Sequence, residues 1–350
     1  MLRLAVDLRP LLEPFESGVT QYTKALVREF LMRTDVELDL YYQARTRCER
    51  IHELFPEVRH IALSNTAFHV RSLLGFPRLP AVYFPVKPGL IWIPDRRPFY
   101  KSEIPLVMTI HDKVPELYSS TLSLKSRLWH LIFPLRRLLK LCSGVVVPSF
   151  TVGAALKTKL LKEITYEGVH LEKSVAPAAS KKLLKMPFFL MISPSDPRKR
   201  LDWFFKMAER FPKVNFVVIG LKATDSRFAK LKLKKSDNVH LVGEVSEGEK
   251  AWYLKHARAL VAISKYEGFD LPVLEAVRAK CPVILSDIPV HNELYKNACM
   301  VKNLKELEGA MYRALNGKIE VPEARGNYVW EKAAERTLFF FLRVLLHKDR

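Results

Sequence analysis

Two glutamates, Glu267 and Glu275, flank the turn EGFDLP within the segment Ser264–Ala279. The apolar run before the turn predicts a strand, and Pro272 suits the first position of a helix. The turn therefore joins a strand end to a helix N-terminus, where free backbone N–H groups favour an anion such as phosphate. Glu275 offers two acceptors that suit the vicinal hydroxyls of a ribose, and Glu267 is placed to accept from sugar hydroxyls. The alternative for Glu275 is that a carboxylate in the first helical turn complements the helix dipole without any ligand.

Two cations, a histidine and a glycine follow other predicted strands. Arg198 and Lys199 come after the predicted strand Phe188–Ser193, where two positive charges suit a diphosphate; a solvated charged loop is the alternative. His111 ends another apolar run, and a lone histidine there is more often structural than catalytic. Gly18 follows the first predicted strand and allows close approach of a substrate to the backbone. A single glycine is not the GxGxxG signature, so dinucleotide binding of the oxidoreductase kind is weakly supported.

These residues need a scaffold that gathers strand ends, and the hydrophobic pattern predicts one. Short apolar runs alternate with amphipathic segments in both halves of the chain. This alternation predicts an α/β protein with two doubly wound, Rossmann-like domains facing across a cleft. Ligands of such sheets bind beyond the carboxyl ends of the strands. We expect domains at 1–170 and 188–327, a linker at 171–187, and a C-terminal helix at 328–350 that packs back on the first domain.

Individual elements follow from the same pattern. In the first half it predicts helices at Val19–Arg33, Ser123–Lys140 and Thr151–Lys162, and a last strand at Ile164–Glu167. In the second half the predicted helices are Leu201–Arg210, Ser246–His256, Pro272–Lys280 and Leu304–Leu315.

Charge and composition indicate the compartment and the partners. The 350 residues carry a net charge of +20 and four scattered cysteines, which fits a reducing cytoplasm and attraction to polyanions. The stretches 58–94 and 117–162 contain no acidic residue, and 70–80 mixes arginine with bulky apolar groups. Attachment to the inner face of an anionic membrane is one interpretation, and a solvated basic surface is the other. No run reaches the ~18–20 apolar residues of a membrane span.

The second half resembles the nucleotide-sugar-binding domain of family 4 of the retaining glycosyltransferases, which have the GT-B fold. The E-x7-E segment from Glu267 to Ala276 is similar to the family motif EGFGLPxLEA, and Pro197-Arg198-Lys199 is similar to its strand-then-PRK element. The stretches CPVILSDIPVHNEL, SGVTQYTKALVREF, TIHDKVPE and GVVVPSFT resemble further family elements. Asp270 and Lys280 depart from the family pattern, which usually has glycine at both positions.

The resemblance implies roles for individual residues. Glu275 would hold the ribose, Glu267 would contact the donor sugar, and Arg198 and Lys199 would stabilise the departing diphosphate. His111 would approach the sugar from the other domain, and Gly18 would line the loop facing donor and acceptor. The implied catalytic set is His111, Arg198, Lys199 and Glu267, and the implied donor-binding set is Gly18, Phe269, Asp270, Leu271 and Glu275.

The implied activity is transfer of a sugar with retention of anomeric configuration. The donor would be a nucleotide-diphosphate sugar of the GDP-mannose or UDP-glucose type, and the acceptor a glycan or glycolipid of the cell envelope or lipopolysaccharide. The sequence has no Asp-x-Asp motif, so we expect no cofactor and no metal, with the cations and the helix N-terminus neutralising the diphosphate. The alternative is a basic nucleic-acid-binding protein without catalytic activity. Against it stand the absence of zinc-ligand spacing, an RNP-like aromatic motif and a basic tail, and we expect no nucleic-acid partner.

Overall fold

The structure is a computed structural model that describes residues 1–14, 16–64, 84, 86–99, 101–178, 180–192, 196–225, 228–229, 233 and 236–348. The arginine-rich apolar segment 70–80 lies outside the described residues, and so does 193–195, directly before the basic pair. The chain divides into two compact units.

The first unit consists of residues 1–117, 122–168 and 328–350. Its strands are β1 Leu2–Asp7, β2 Val36–Ala44, β3 Arg59–Ala62, β4 Leu90–Ile93, β5 Leu106–Thr109, β6 Gly144–Val147 and β7 Leu161–Ile164. They form one sheet with the order β3-β2-β1-β4-β5-β6-β7, and every neighbouring pair is parallel. The order reverses between β1 and β4, which is the switch point of a doubly wound sheet.

The helices of the first unit cover this sheet. Ser17 begins the first of them with a capping box, in which its side chain accepts from the Thr20 amide at 3.2 Å. The α-helices are Gly18–Leu31, Glu49–Leu54, Val114–Leu117, Leu124–Ile132, Leu135–Leu139, Phe150–Ala155 and Trp330–Lys348, and a 3-10 helix spans Arg9–Leu12.

Three sequence-based predictions in this unit are wrong. The predicted helix Ser123–Lys140 is two helices, because Pro134 has no N–H to continue the first one and its φ of −65° opens the second. The predicted helix Thr151–Lys162 ends at Ala155, and the last strand begins at Leu161 instead of Ile164. The reason is the sheet register: Leu161 pairs with Gly144, so the backbone of this segment completes the ladder of β6.

The C-terminal helix Trp330–Lys348 packs within the first unit. The Phe341 ring lies 6.4 Å from that of Phe30 and 6.0 Å from that of Trp92, measured between centroids. Gly144 gives the helix room, because a Cβ there would lie 2.8 Å from both Phe340 Cζ and Val344 Cγ2. The apolar run FFFLRVLL is thus partly buried against the helix Gly18–Leu31 and against strands β4 and β6 of the first sheet.

The second unit consists of residues 118–121 and 169–327. Its main strands are β8 Phe188–Ile192, β9 Asn215–Ile219, β10 Val239–Gly243, β11 Ala259–Ala262, β12 Val283–Ser286 and β14 Cys299–Val301, and β13 Tyr295–Lys296 pairs antiparallel with β15 Glu323–Ala324. The main strands form a parallel sheet with the order β10-β9-β8-β11-β12-β14 and the switch point between β8 and β11.

The helices of the second unit agree closely with the sequence-based expectation. Leu201–Arg210 and Leu304–Leu315 have the predicted bounds. The remaining α-helices are Ser180–Leu183, Glu247–His256, Leu271–Arg278 and Pro289–Leu294, and 3-10 helices span Ser119–Thr121 and Pro197–Lys199.

The fold-class prediction of two doubly wound parallel sheets is confirmed. Both sheets contain short, wholly buried and largely apolar strands, such as Leu90–Ile93 and Asn215–Ile219, which only a sheet covered on both faces can accommodate. None of the helices in the described ranges combines the length and the hydropathy that a membrane crossing requires.

Candidate functional site

Arg198 and Lys199, the basic pair, lie beyond the carboxyl end of β8. They belong to a short 3-10 helix, Pro197–Lys199. Asp196 caps this helix by accepting the Arg198 amide at 2.8 Å. Arg200 then adopts a left-handed conformation with φ 55°, which separates the 3-10 helix from the α-helix that follows. The local sequence thereby fixes Arg198 and Lys199 at the carboxyl-terminal end of the sheet.

Glu267, which follows β11, meets both cations. Arg198 Nη1 lies 2.9 Å from Glu267 Oε2, and Lys199 Nζ lies 2.6 Å from Oε1. Arg198 also donates to the carbonyl oxygen of Tyr266. Arg198 and Glu267 are buried, with exposed fractions of 8% and 7%. β8 and β11 are neighbours at the switch point, so two loops distant in sequence form one cluster of charges.

The turn between β11 and the next helix adds a second carboxylate. Asp270 is buried, and its Oδ1 lies 3.7 Å from Lys199 Nζ. Burial alone would raise its pKa, but Lys199, His291 and Arg198 together lower the pKa of Asp270 to about 2. Phe269 and Leu271, on either side, are buried as well. Leu271 is the first residue of the helix Leu271–Arg278, and Phe269 directly precedes the N-cap residue Asp270.

A small pocket opens beside this cluster at the carboxyl ends of β8 and β11. The residues lining it include Ile192, Lys199, Ser264, Asp270 and Pro272. Lys199 and Asp270 are the charged residues of its lining, which is otherwise mostly apolar.

The helix Leu271–Arg278 begins one residue earlier than predicted, so Glu275 lies in its second turn and no acidic residue stands in the first. This position disfavours a role in compensating the helix dipole. Its Oε1 accepts from Lys250 Nζ at 2.8 Å, whereas Oε2 is buried and has no hydrogen-bond partner among the described residues. Burial raises the pKa of Glu275, and Lys250 opposes this rise.

His111 and Gly18 belong to the first unit. His111 Nδ1 lies 3.1 Å from Glu167 Oε1, and Nε2 lies 2.8 Å from the carbonyl oxygen of Pro94. Burial lowers the pKa of His111, but Glu167 and the Pro94 carbonyl outweigh this effect and raise it. Both ring nitrogens are thus engaged within the unit. Gly18 is the first residue of its helix.

Sequence reasoning missed two residues of the site in the second unit. Lys250, on the helix Glu247–His256, pairs with Glu275 and lies 2.7 Å from Glu247. His291, on the helix Pro289–Leu294, contacts Asp270 at 3.1 Å. Only the position of Lys250 on a helix face that also carries Tyr253 and Leu254, both buried, could have signalled it. His291 has no local signal, because its partner comes from the loop after another strand.

We expect Glu167→Gln to change how stability depends on pH. In the folded protein the pKa of His111 is raised above its ordinary 6.5, so the stabilisation is complete below pH ~6.5 and is lost as pH rises through the folded-state pKa. Glutamine removes the charge that raises this pKa. The variant should lose about 1 kcal/mol of unfolding free energy at pH 6 and much less at pH 9, measured by urea denaturation.

The matched control is the double variant His111→Gln with Glu167→Gln. It has no imidazole at position 111, so the charge at position 167 has no histidine pKa to raise. Parallel loss of stability by wild type and Glu167→Gln from pH 6 to pH 9 would contradict the ion-pair interpretation.

We also expect Lys250→Met to destabilise the second unit by about 3 kcal/mol, because it leaves the buried carboxylate of Glu275 without its cation. The double variant Lys250→Met with Glu275→Leu should recover most of this loss. Lys302→Met, which removes an exposed ion pair with Asp287, should cost less than about 0.5 kcal/mol. Urea denaturation of the four proteins checks this, and equal costs at positions 250 and 302 would rule out a buried pair.

Comparison with known proteins finds a family model that matches most of the second unit. Residues 173–326 match the family model described as Glycosyl transferases group 1. This segment is somewhat less than half of the chain, but it contains the whole charged cluster of the second unit together with Lys250, Glu275 and His291.

Two bacterial mannosyltransferases are among the relatives that match parts of the chain. The O-antigen chain mannosyltransferase RfbU of Salmonella typhimurium is 28% identical over 222 residues, which is 62% of each chain. The serotype-specific mannosyltransferase WbdA of Escherichia coli is 33% identical over 116 residues, which is 31% of this chain and 14% of WbdA. The chain therefore matches less than two thirds of the length of these relatives.

Solved structures resemble the chain over its whole length. A sucrose-phosphate synthase from Thermosynechococcus elongatus has a TM-score of 0.63 at 16% identity and covers 100% of this chain and 98% of its own. HepE of Anabaena, in complex with UDP-glucose, has a TM-score of 0.63 at 13% identity, with coverage of 99% and 98%. The lipopolysaccharide outer core galactosyltransferase WaaB, in its apo form, has a TM-score of 0.59 at 13% identity and covers 100% of both chains. At this identity the likeness shows the fold. The chain thus has the two-domain GT-B fold of these enzymes, and residues 173–326 are similar to the glycosyl transferases group 1 domain.

Proposed function

We propose that the chain is a glycosyltransferase that moves a hexose from a nucleotide-diphosphate sugar to a glycan or glycolipid acceptor in the synthesis of cell-envelope polysaccharide or lipopolysaccharide. The observation that carries this proposal is the convergence of Arg198, Lys199 and Glu267 at one sheet edge, beside a helix N-terminus. The mannosyltransferase relatives favour GDP-mannose as donor, and the UDP-glucose held by HepE supports UDP-glucose as the alternative.

The proposed chemistry assigns the charge of the leaving group to the basic pair. Breaking the bond between sugar and diphosphate builds negative charge on the diphosphate. Arg198, Lys199 and the free amides at the start of the helix Leu271–Arg278 are fixed in place before the reaction, so they neutralise this charge without reorganising. Glu267 orients both cations and presents carboxylate oxygens to the sugar hydroxyls. Donors of this kind are each worth about 3–4 kcal/mol when removed.

The nucleoside would bind through Glu275. Its buried Oε2 lacks a partner among the described residues, while Lys250 holds Oε1. A buried acceptor in this state favours a hydroxyl donor such as the ribose.

The finer mechanism rests on the family resemblance and the absence of an Asp-x-Asp motif. We propose retention of anomeric configuration, with the diphosphate accepting the proton of the acceptor hydroxyl, and catalysis without a metal or another cofactor. Gly18 would line the loop facing the substrates. His111 would contact the sugar, which requires that one of its bonds, to Glu167 or to Pro94, be exchanged for the sugar hydroxyl.

A surface of the first unit supports a membrane-borne acceptor. The helix Leu124–Ile132 exposes Leu124 by 81%, Leu128 by 58% and Leu131 by 76%. The stretch 117–162 contains no acid. Exposed cations lie on the same and the following helix, at Lys125, Arg127, Arg136, Arg137 and Lys140. We propose that this surface rests on an anionic membrane, which places the protein in the cytoplasm as a peripheral protein of the inner face.

We expect Lys199→Ala to lower kcat for sugar transfer by about 10²- to 10³-fold, because it removes one neutralising group from the leaving diphosphate. Glu275→Gln, which keeps the shape of the side chain, should raise KM for the donor more than it lowers kcat. Initial rates with GDP-mannose and UDP-glucose and a lipid-linked glycan acceptor measure both effects.

Lys206→Ala is the matched control, since Lys206 is an exposed lysine on the neighbouring helix Leu201–Arg210. Full turnover by Lys199→Ala would contradict the assignment. The same assay in excess EDTA tests metal independence, and a complete loss that added metal reverses would remove that part of the proposal.

The nucleic-acid-binding alternative rests on the net charge of +20. Titration of the protein with GDP, UDP and short oligonucleotides separates the two functions. Tight, salt-sensitive oligonucleotide binding without nucleotide-diphosphate binding would favour the alternative.

We expect the triple variant Leu124→Ser, Leu128→Ser and Leu131→Ser to bind anionic vesicles about tenfold more weakly than wild type, because it removes the apolar groups that would insert. Flotation with phosphatidylglycerol vesicles at low salt measures this. Leu346→Ser, at a leucine 69% exposed on another helix, is the control. Unchanged flotation of the triple variant would exclude this helix as the membrane contact.

A further inference from the structure

Asp270 is a carboxylate held at a backbone position that disfavours it. Its φ of 74° lies in the left-handed region, where a residue with a Cβ is strained by about 1 kcal/mol or more. Asp270 occupies the N-cap position of the helix Leu271–Arg278, yet its side chain caps no amide of that helix. Its carboxylate therefore does not act as the cap of this helix. A strained, buried residue of this kind at a site points to a function for its side chain.

The partner of Asp270 is a fully buried histidine. His291 Nε2 lies 3.1 Å from Asp270 Oδ2, and Nδ1 lies 2.9 Å from the carbonyl oxygen of Ser286. A carbonyl oxygen and an ionised carboxylate can only accept, so this geometry fits a ring that donates from both nitrogens, which is an imidazolium. Asp270 is the titratable group that the described residues place against this ring.

The charge balance of the cluster depends on that imidazolium. Two cations, Arg198 and Lys199, meet three carboxylates, those of Asp196, Glu267 and Asp270. Two positive and three negative charges leave one net negative charge, which would repel a diphosphate. With a protonated His291 the count is three and three. The imidazolium thus cancels the charge that Asp270 brings into the site.

We propose that His291 and Asp270 act as one positioning pair for Lys199: the buried imidazolium neutralises Asp270, and Asp270 holds the Lys199 ammonium toward the pocket at the ends of β8 and β11 without making the site repel anions. His291 is a positioning residue, since it acts through Asp270. This inference rests on the proposed function, because the anion that Lys199 meets is the diphosphate of the donor.

A purely structural role for His291 and a role in neutralising Asp270 predict different results. If His291 only fills space and bonds to the backbone, its replacement should be equally harmful whether or not residue 270 carries a charge. If His291 neutralises Asp270, its replacement should be harmful only while the carboxylate is present.

The experiment is a double-mutant cycle on the full chain, made of His291→Phe, Asp270→Gly and the double variant. We measure the affinity for GDP, UDP and inorganic pyrophosphate by calorimetry, and kcat and KM for transfer. His291→Phe should weaken binding of all three anions and lower kcat by about tenfold each. In the Asp270→Gly background the same substitution should change them by less than about threefold. Equal losses in both backgrounds would overturn the inference.

Two further measurements cover the case in which His291→Phe does not fold. His291→Gln keeps one donor without the charge, so it should shift the same quantities in the same direction by a smaller factor. Long-range ¹H–¹⁵N spectra of the wild-type protein at pH 7.5, with the signal assigned by its loss in His291→Gln, should show both nitrogens protonated. A neutral tautomer would overturn the inference without any activity assay.

The outcomes for the wild type separate this inference from the proposed function. Wild-type protein that binds neither GDP nor UDP and transfers no sugar would overturn the proposed function, and this inference with it. Wild-type binding and transfer without coupling between positions 270 and 291 would overturn the inference alone.

Discussion

The buried ion pairs of Glu267 with Arg198 and Lys199 are the interaction on which the second unit depends. A carboxylate taken out of water is stable only when cations and hydrogen-bond donors replace the water. The loop after β11 therefore has to meet the loop after β8, and the switch point of the sheet makes the two loops neighbours. The constraint that stabilises the fold here is the same one that places Arg198 and Lys199 beside a helix N-terminus.

Each unit also contains a histidine held between a carboxylate and a carbonyl oxygen. His111 lies between Glu167 and Pro94 in the first unit, and His291 lies between Asp270 and Ser286 in the second. In both, the two acceptors come from loops at strand ends. A buried carboxylate near a sugar-phosphate site would oppose an anionic ligand, and an adjacent imidazolium removes that opposition while keeping the hydrogen bonds.

Asp270 shows how a departure from a family pattern becomes intelligible in three dimensions. At a position with φ 74° the usual glycine is unstrained, so an aspartate there has to be stabilised by its contacts. His291 and Lys199 supply those contacts. Lys280, the other position where the family usually has glycine, also has a positive φ, of 60°. No contact within the described ranges explains the choice of lysine there.

The sequence by itself determined the alternation of buried strands and amphipathic helices, and with it both doubly wound sheets, because apolar periodicity is a local property. It also determined that Arg198, Lys199, Glu267 and Glu275 follow strand ends. Only the tertiary structure decided which of them touch and where β7 begins, since these depend on contacts with distant parts of the chain. The break at Pro134 is local, so the sequence already contained it although the predicted helix ran across it. The partners of Lys250 and His291 could not be found from the sequence, because each is a buried carboxylate on another element of the fold, and burial is known only once the chain has folded.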